Sequence, residues 1–247
     1  MTSAEFLVLR LEGPLMSFGG VQVDENNTTE AFPGLSLLTG LLGNALGYEH
    51  YDFEKLQRLQ ERIRYAARQD RRGREIMDYQ TVDLGQDFLR EGWTTRGAPG
   101  RRAGGSAKTG THIRRRYYWA DAVYTVVLTL DPAEEEPDLD MCARALAEPC
   151  RPLYLGRRAC PPAGPVMMEK RNAVGLRQAL AETPLSNRAS EQASYTAWWP
   201  HDPSKEAPGL GRVIPINDRR DWANRVHTGR RFVWEGQLLR EEISHAG

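Results

Sequence analysis

From Gly92 to Ala120 every charged side chain is basic: Arg96, Arg101, Arg102, Lys108, Arg114, Arg115 and Arg116, with no Asp or Glu among them. Guanidinium groups grip phosphate through a planar fork of donors and stack on flat rings, which ammonium groups do not. Tyr117, Tyr118 and Trp119 follow directly. Aromatic rings beside a basic strip can stack on splayed bases, at about 1–3 kcal/mol per base. This pattern predicts a nucleic-acid-binding arm that orders on RNA. Its affinity should fall steeply with salt, because each neutralised phosphate releases counterions. The alternative is a solvated basic loop leading into an ordinary strand.

Two further segments have a suitable chemistry. In Tyr154-Leu155-Gly156-Arg157-Arg158, the glycine would let backbone amides approach an anion and the two arginines would add charge-assisted bonds. Two surface arginines with no ligand are the plainer reading. Ser36 opens an apolar helical stretch, where free amides and the helix dipole favour phosphate. A simple helix cap is the alternative there.

Signatures of catalysis are missing. The chain has no GxxxxGK(S/T) phosphate loop, no HExxH and no calcium-loop pattern. Of His50, His112, His201, His227 and His245, only His112 lies in the basic, aromatic stretch. A metal-independent ribonuclease could use His112, Lys108 and Tyr79 as acid, base and charge stabiliser. Cys142, Cys150 and Cys160 form no CxxC pair and lack a nearby histidine, which argues against zinc and for buried or incidental thiols. Neither a metal nor a cofactor is expected.

Over 247 residues, 33 Lys and Arg balance 33 Asp and Glu, so net charge alone does not point to nucleic acid. Only Lys55, Lys108, Lys170 and Lys205 are lysine, so the positive charge is nearly all arginine. A GC-rich genome would give the same bias. No apolar run approaches the roughly 20 residues of a membrane span. The opening Met1-Thr2-Ser3-Ala4-Glu5 has no secretory pattern, so a cytoplasmic location is expected.

The elements that position these residues read as follows. Phe6–Leu11 is a short buried strand, ended by Gly13-Pro14. A helix starts at Ser36 and stops at Gly47, with Gly40 and Gly43 permitting close approach of another backbone. Helix Phe53–Arg62 and strand Ile63–Arg68 come next. Ile76–Val82 and His112–Trp119 form the arms of a hairpin, with a flexible glycine-rich stretch over 97–110 between them. Ala122–Leu130 is the clearest strand, and Leu139–Ala147 a helix. Val166–Glu169, Ser194–Trp199, Val213–Ile216 and Arg231–Trp234 read as strands, and Val174–Glu182 as a helix. The order strand, helix, strand, hairpin, strand, helix, strand suggests a βαββαβ core of the ferredoxin-like kind, which includes the RRM.

Five segments, in order, resemble the CasD family of type I-E CRISPR Cascade, a branch of the RAMP superfamily. Leu9 through Gly19 resembles that family's first strand and GPMQ(S/A)WG turn, with Phe18 in place of Trp. Pro33 through Gly47 resembles PxxSxLxGLLGxxLG, Asp78-Tyr79-Gln80-Thr81-Val82 resembles DYxTV, and Arg116 through Ala122 resembles RxYLxDAxF. Pro152 through Pro161 is similar to PxYLGRRxCP. Together they span about the first two thirds of the chain.

The resemblance implies an α+β fold: an RRM-like core over 1–170, a protruding β-hairpin thumb at about 70–120, and a small β-rich C-terminal part over 171–247. It implies a non-catalytic subunit that binds the repeat-derived 5′ handle of CRISPR RNA and caps the backbone filament. Its neighbours would be the large subunit CasA and the backbone subunit CasC, with CasB and CasE in the same complex and target DNA reached through it. Arg114, Arg115, Arg116, Arg157 and Arg158 would hold phosphates, and Ser36 with its neighbouring amides would add contacts. Phe18, Tyr79 and Tyr117 would stack on bases or wall the site. Type I-C relatives cut precursor RNA themselves, which makes a metal-independent endoribonuclease the rival reading. A subunit that only bridges proteins is a third.

Overall fold

The computed structural model describes residues 3–20, 24–85, 91–93, 99–101, 110–204 and 210–243, with 91–93 and 99–101 described as backbone. Strand β1 (Ala4–Glu12) leads through two short strands, β2 (Leu15–Met16) and β3 (Asn26–Asn27), to helices α1 (Leu35–Ala45) and α2 (Phe53–Arg62). Next come β4 (Ile63–Arg71), β5 (Arg74–Asp83), β6 (Glu91–Trp93), β7 (Pro99–Arg101), β8 (Thr111–Ala120) and β9 (Val123–Leu130). Helix α3 (Leu139–Ala147), β10 (Met167–Ala173) and α4 (Leu176–Glu182) precede the last five strands. These are β11 (Ser194–Pro200), β12 (Gly211–Ile216), β13 (Arg220–Asp221), β14 (Val226–His227) and β15 (Arg231–Leu239).

The fold is α+β and built mostly of antiparallel strands. Seven strands form one sheet in the order β10-β1-β9-β4-β11-β15-β12, with every neighbouring pair antiparallel. Alternation along each strand feeds two cores. Leu7, Leu9, Leu11, Val126 and Leu128 face one way, against Leu38, Leu42 and Leu59 of the first two helices and Cys142 of α3. Phe6, Val8 and Val127 face the other way, against Ala179 and Leu180 of α4. Near-continuous apolar runs such as Val123–Leu130 follow from burial on both faces.

A second sheet stands off the first. Strands β5 and β8 pair antiparallel over ten rungs, from Arg74↔Ala120 to Asp83↔Thr111. The other edge of β8 takes β2 antiparallel and β3 parallel, which ties the hairpin base to the Pro14–Thr29 segment. Strand β5 is exposed along nearly its whole length.

Several sequence expectations are corrected. Ser36 does not cap α1: the N-cap is Gly34, with no side-chain cap bond, and Ser36 lies inside the first turn. Gly40 and Gly43 do not admit another backbone. A Cβ on Gly43 would come within 2.5 Å of Leu56 Cδ2, and one on Gly40 would meet the Trp222 ring at 3.7 Å. The stop at Gly47 holds: its φ is +82°, and Tyr48 N–H donates to Gly43 O at 2.8 Å while Gly47 N–H donates to Asn44 O at 3.3 Å. That pair of bonds satisfies the last carbonyls of the helix. Within 97–110, Pro99–Arg101 is a short strand paired with Glu91–Trp93; residues 97, 98 and 102–109 lie outside the described residues. Cys142 and Cys160 are buried and Cys150 is exposed.

Candidate nucleic-acid interface

Three consecutive arginines cannot share one face of a strand, because successive side chains point to opposite sides. Arg114 and Arg116 therefore fall with Tyr118 on one face of β8, and Arg115 falls with Tyr117 and Trp119 on the other. The partner strand follows the same rule: Tyr79 sits opposite Arg115 and Asp78 opposite Arg116. The Arg115 guanidinium lies 5.7 Å over the Tyr79 ring and pairs with Glu25 at 2.7 Å. Tyr79 is 51% exposed. Arg114 donates to Asp24 O at 3.4 Å. The Arg116 side chain has no hydrogen bond or ion pair among the described residues.

The Tyr154–Cys160 loop packs on the Arg116 face. Arg157 sits 4.8 Å over the Tyr118 ring and donates to Tyr117 O at 3.1 Å and Asn27 O at 3.0 Å. Its expected role is corrected in part. Two of its terminal N–H groups hold the loop to the hairpin base, leaving the rest of the fork for a ligand. Gly156 is also structural. Its φ is +104°, and a Cβ there would lie 1.7 Å from Ser17 O. Ser17 N–H donates to Leu155 O at 3.0 Å, so the two turns lie against each other. Arg158 is exposed and, among the described residues, unpaired.

A cavity of about 430 Å³ lies beside this junction. Phe18, Ser36, Gly156 and Arg157 line it, so three of the segments singled out in the sequence meet there. Two expectations change in detail. Phe18 is only 3% exposed and packs edge-on against Tyr124 at 5.0 Å, so it supports the site from within the core and offers no open stacking face. The amides at the start of α1 are not free. Leu35 N–H donates to Asp218 Oδ2 at 2.7 Å, and Ser36 N–H donates to Asp218 O at 3.0 Å. An internal carboxylate thus takes the place expected for phosphate, and Ser36 faces the cavity by position in the helix.

The C-terminal part contributes residues that the sequence reading missed. Arg220, Trp222 and His227 line the same cavity. Strands β13 and β14 pair Arg220 with His227, and Gln60 fixes the Arg220 backbone from both sides, at 3.0 and 2.8 Å. Burial, and then the nearby Arg225, lower the pKa of Arg220. The residues around Trp222 carry no familiar spacing; the chain there shows only an aromatic two residues after an arginine pair, in Arg219-Arg220-Asp221-Trp222. A larger cavity of about 1050 Å³ shares Arg220 but none of the residues singled out by sequence, and is lined largely by Gln57, Tyr65, Pro200 and Phe232.

The ribonuclease constellation does not assemble. His112 pairs with Val82 and Tyr79 with Arg115. The two are three rungs apart, about 10 Å, and alternation sends them to opposite faces. Lys108 lies outside the described residues. Among the described residues no group of three His, Cys, Asp or Glu side chains is placed to hold a metal ion.

Comparison with known proteins agrees with this architecture. The family model described as CRISPR-associated protein (Cas_Cas5) matches residues 6–234. The CRISPR system Cascade subunit CasD of Escherichia coli (strain K12) is 34% identical over 164 residues, covering 66% of this chain and 70% of that protein. A chain from a solved CRISPR RNA-guided surveillance complex superposes with a TM-score of 0.66 at 25% identity, over 98% of this chain and 94% of that one. A crystal structure of a Cas protein gives 0.64 at 23% identity, over 98% of both chains, which speaks to the fold alone. The chain belongs to the CRISPR-associated Cas_Cas5 family, with the CasD subunit of Cascade among its relatives.

Proposed function

We propose that this chain is a non-catalytic RNA-binding subunit of a type I-E Cascade surveillance complex, gripping the repeat-derived 5′ handle of CRISPR RNA. The observation that carries the reading is the Arg157 clamp. It joins the Tyr154–Cys160 loop to the hairpin, with Arg157 over Tyr118 on the Arg116 face of β8 and also in the wall of the cavity beside Ser36. Arg114, Arg116 and Arg158 hold phosphates, with the remaining donors of Arg157. Arg115, Tyr117 and Tyr79, on the opposite hairpin face, meet a neighbouring subunit or a second stretch of the guide.

The fold supports this assignment. Strands β10-β1-β9-β4 with α1, α2 and α3 have the order and connections of a ferredoxin-like, RRM-like βαββαβ core. The β5–β8 hairpin is its thumb, and the part from about 171 onward extends the same sheet past β4. In this role the chain caps the backbone filament of CasC subunits next to the large subunit CasA, in a cytoplasmic complex that also holds CasB and CasE and reaches target DNA. No helix of the described residues is long and apolar enough to cross a membrane.

Labelled repeat RNA incubated with the purified protein in EDTA, with nuclease footprinting of the handle in the assembled complex, tests the reading. Protection of the handle, with intact RNA and salt-sensitive affinity, is expected. Specific cleavage abolished by His112→Ala would establish the endoribonuclease instead, and an unprotected handle would leave a subunit that only bridges proteins.

A further inference from the structure

We propose that the cavity between the Ser17–Gly20 turn, α1 and the β13–β14 hairpin seats one extruded nucleobase and reads its carbonyl or ring-nitrogen acceptors. The inference rests on the handle-binding role and adds to it a base-reading site built from the C-terminal part.

Three residues that line this cavity each carry a buried polar atom with no hydrogen-bond partner among the described residues: Ser17 Oγ, Arg220 Nε and Trp222 Nε1. Ser17 is 1% exposed. A buried donor left unmet costs about 1–3 kcal/mol, so such atoms are rare and point to something that completes them. Two of the three can only donate and the third can donate. The missing partner must therefore be rich in acceptors.

The shape of the site narrows the partner further. The Arg220 guanidinium lies 5.2 Å over the Trp222 ring, so two of the donors belong to one cation–ring pair. A flat ligand with acceptors along its edge can meet both donors from beside the pair, and a nucleobase is one. The space, about 430 Å³, is in the range of sites for one small molecule.

The pair is also held in place before any ligand arrives. Gln60, itself buried, bonds both the N–H and the carbonyl of Arg220. Gly40 lies beneath Trp222, where a Cβ would make an ordinary contact with the ring edge at 3.7 Å. Asp221 accepts from Asn224 N–H at 2.8 Å and closes the turn of the hairpin. Phosphates on Arg116 and Arg158 would position the guide, while this seat would read one base.

The test uses the full complex assembled on guide RNAs that each carry one abasic site in the handle. In the wild type, one position should stand out, with a loss of about tenfold in affinity. Trp222→Ala should lower affinity for the unmodified guide by a similar factor and make that abasic site silent, leaving the other positions unchanged. Trp222→Phe keeps a ring and removes the N–H; it should retain most affinity and lose discrimination between bases at that position. Abasic profiles that coincide in wild type, Trp222→Ala and Trp222→Phe overturn the seat. So does a Trp222 or Arg220→Gln effect that is equal at every position and reduces the salt slope, which would mean a phosphate contact. If the wild-type complex leaves the handle unprotected from nuclease, the handle-binding role itself fails and the seat fails with it.

Discussion

Asp218 accepts the Leu35 amide proton at 2.7 Å across 183 residues of sequence. The same carboxylate binds the Arg231 guanidinium through both oxygens, at 2.7 and 2.6 Å, and accepts from Tyr65 O–H at 3.3 Å. The positive end of α1 is therefore neutralised from inside the protein. The contact also sets the β13–β14 hairpin beside α1, which is what gives the cavity its second wall.

Removing this carboxylate should be costly. Asp218→Ala leaves Arg231 buried without its ion pair and the Leu35 amide without its carboxylate acceptor, while the Ser36 amide keeps the backbone carbonyl of residue 218. Breaking a buried pair in this way typically costs about 3–5 kcal/mol. Ser36→Ala removes no cap bond, so its cost should stay under about 0.5 kcal/mol. Urea unfolding of the two variants checks the contrast; a Ser36→Ala loss as large as that of Asp218→Ala would contradict the capping assignment.

The split of the three arginines gives a second expectation. Arg116→Ala and Arg158→Ala should each flatten the dependence of log affinity on log salt by about 0.7, the value for one contact to a single strand. Arg115→Ala should leave the slope nearly unchanged if its face does not touch the handle. It should act instead on Glu25, whose carboxyl is held below its usual range by its own backbone amide first and by Arg115 second. A depressed carboxylate favours the folded state above its unfolded pKa, and that contribution fades as pH falls through the folded value. Carbon-detected NMR titration should show Glu25 moving partway back up in Arg115→Ala.

Most elements could be read from the chain because their signals are local. Helix Phe53–Arg62 carries its periodicity, and strand Val123–Leu130 its apolar run, within ten residues, and the glycine stop at Gly47 sits next to what it ends. The site was legible in a different degree. Arg157 and Ser36 were recognisable by motif, yet their geometry depends on distant groups: Tyr117 O and Asn27 O for one, Asp218 for the other. Phe18 sits in a turn motif, so its burial against Tyr124 was not visible from its neighbours. The opposite facing of Arg115 and Arg116 follows from strand periodicity alone, once the segment is a strand over its full length. Arg220 and Trp222 had no periodic or motif signal, and only the pairing of β13 with β14 brings them to α1.

Thiol chemistry should separate the three cysteines. Burial pushes the Cys142 thiol up to about 12, so it carries almost no thiolate at pH 8. Burial also raises Cys160. Cys150 is exposed. Iodoacetamide at pH 8 followed by peptide mass spectrometry should label Cys150 alone in the native protein and all three in urea. Rapid native labelling of Cys142 would show that the α3 contact with the sheet opens readily.

The tightest constraint at the interface is on Gly156. An added Cβ would lie 1.7 Å from the Ser17 carbonyl oxygen, and the φ of +104° is one that side-chain-bearing residues rarely adopt. Backbone strain of this kind costs about 1–3 kcal/mol before any clash, so Gly156→Ala should lose at least that much. For a chain of this size the loss corresponds to a fall in Tm of roughly 5–10 °C. The two turns would have to separate, which moves Arg157 off Tyr117 O and opens the cavity wall. Guide affinity should therefore fall in Gly156→Ala together with Tm. Arg158→Ala, whose exposed side chain makes no hydrogen bond or ion pair among the described residues, should lower affinity while Tm stays within about 1 °C of wild type. Affinity that survives in Gly156→Ala despite a lowered Tm would sever the link between this junction and RNA binding.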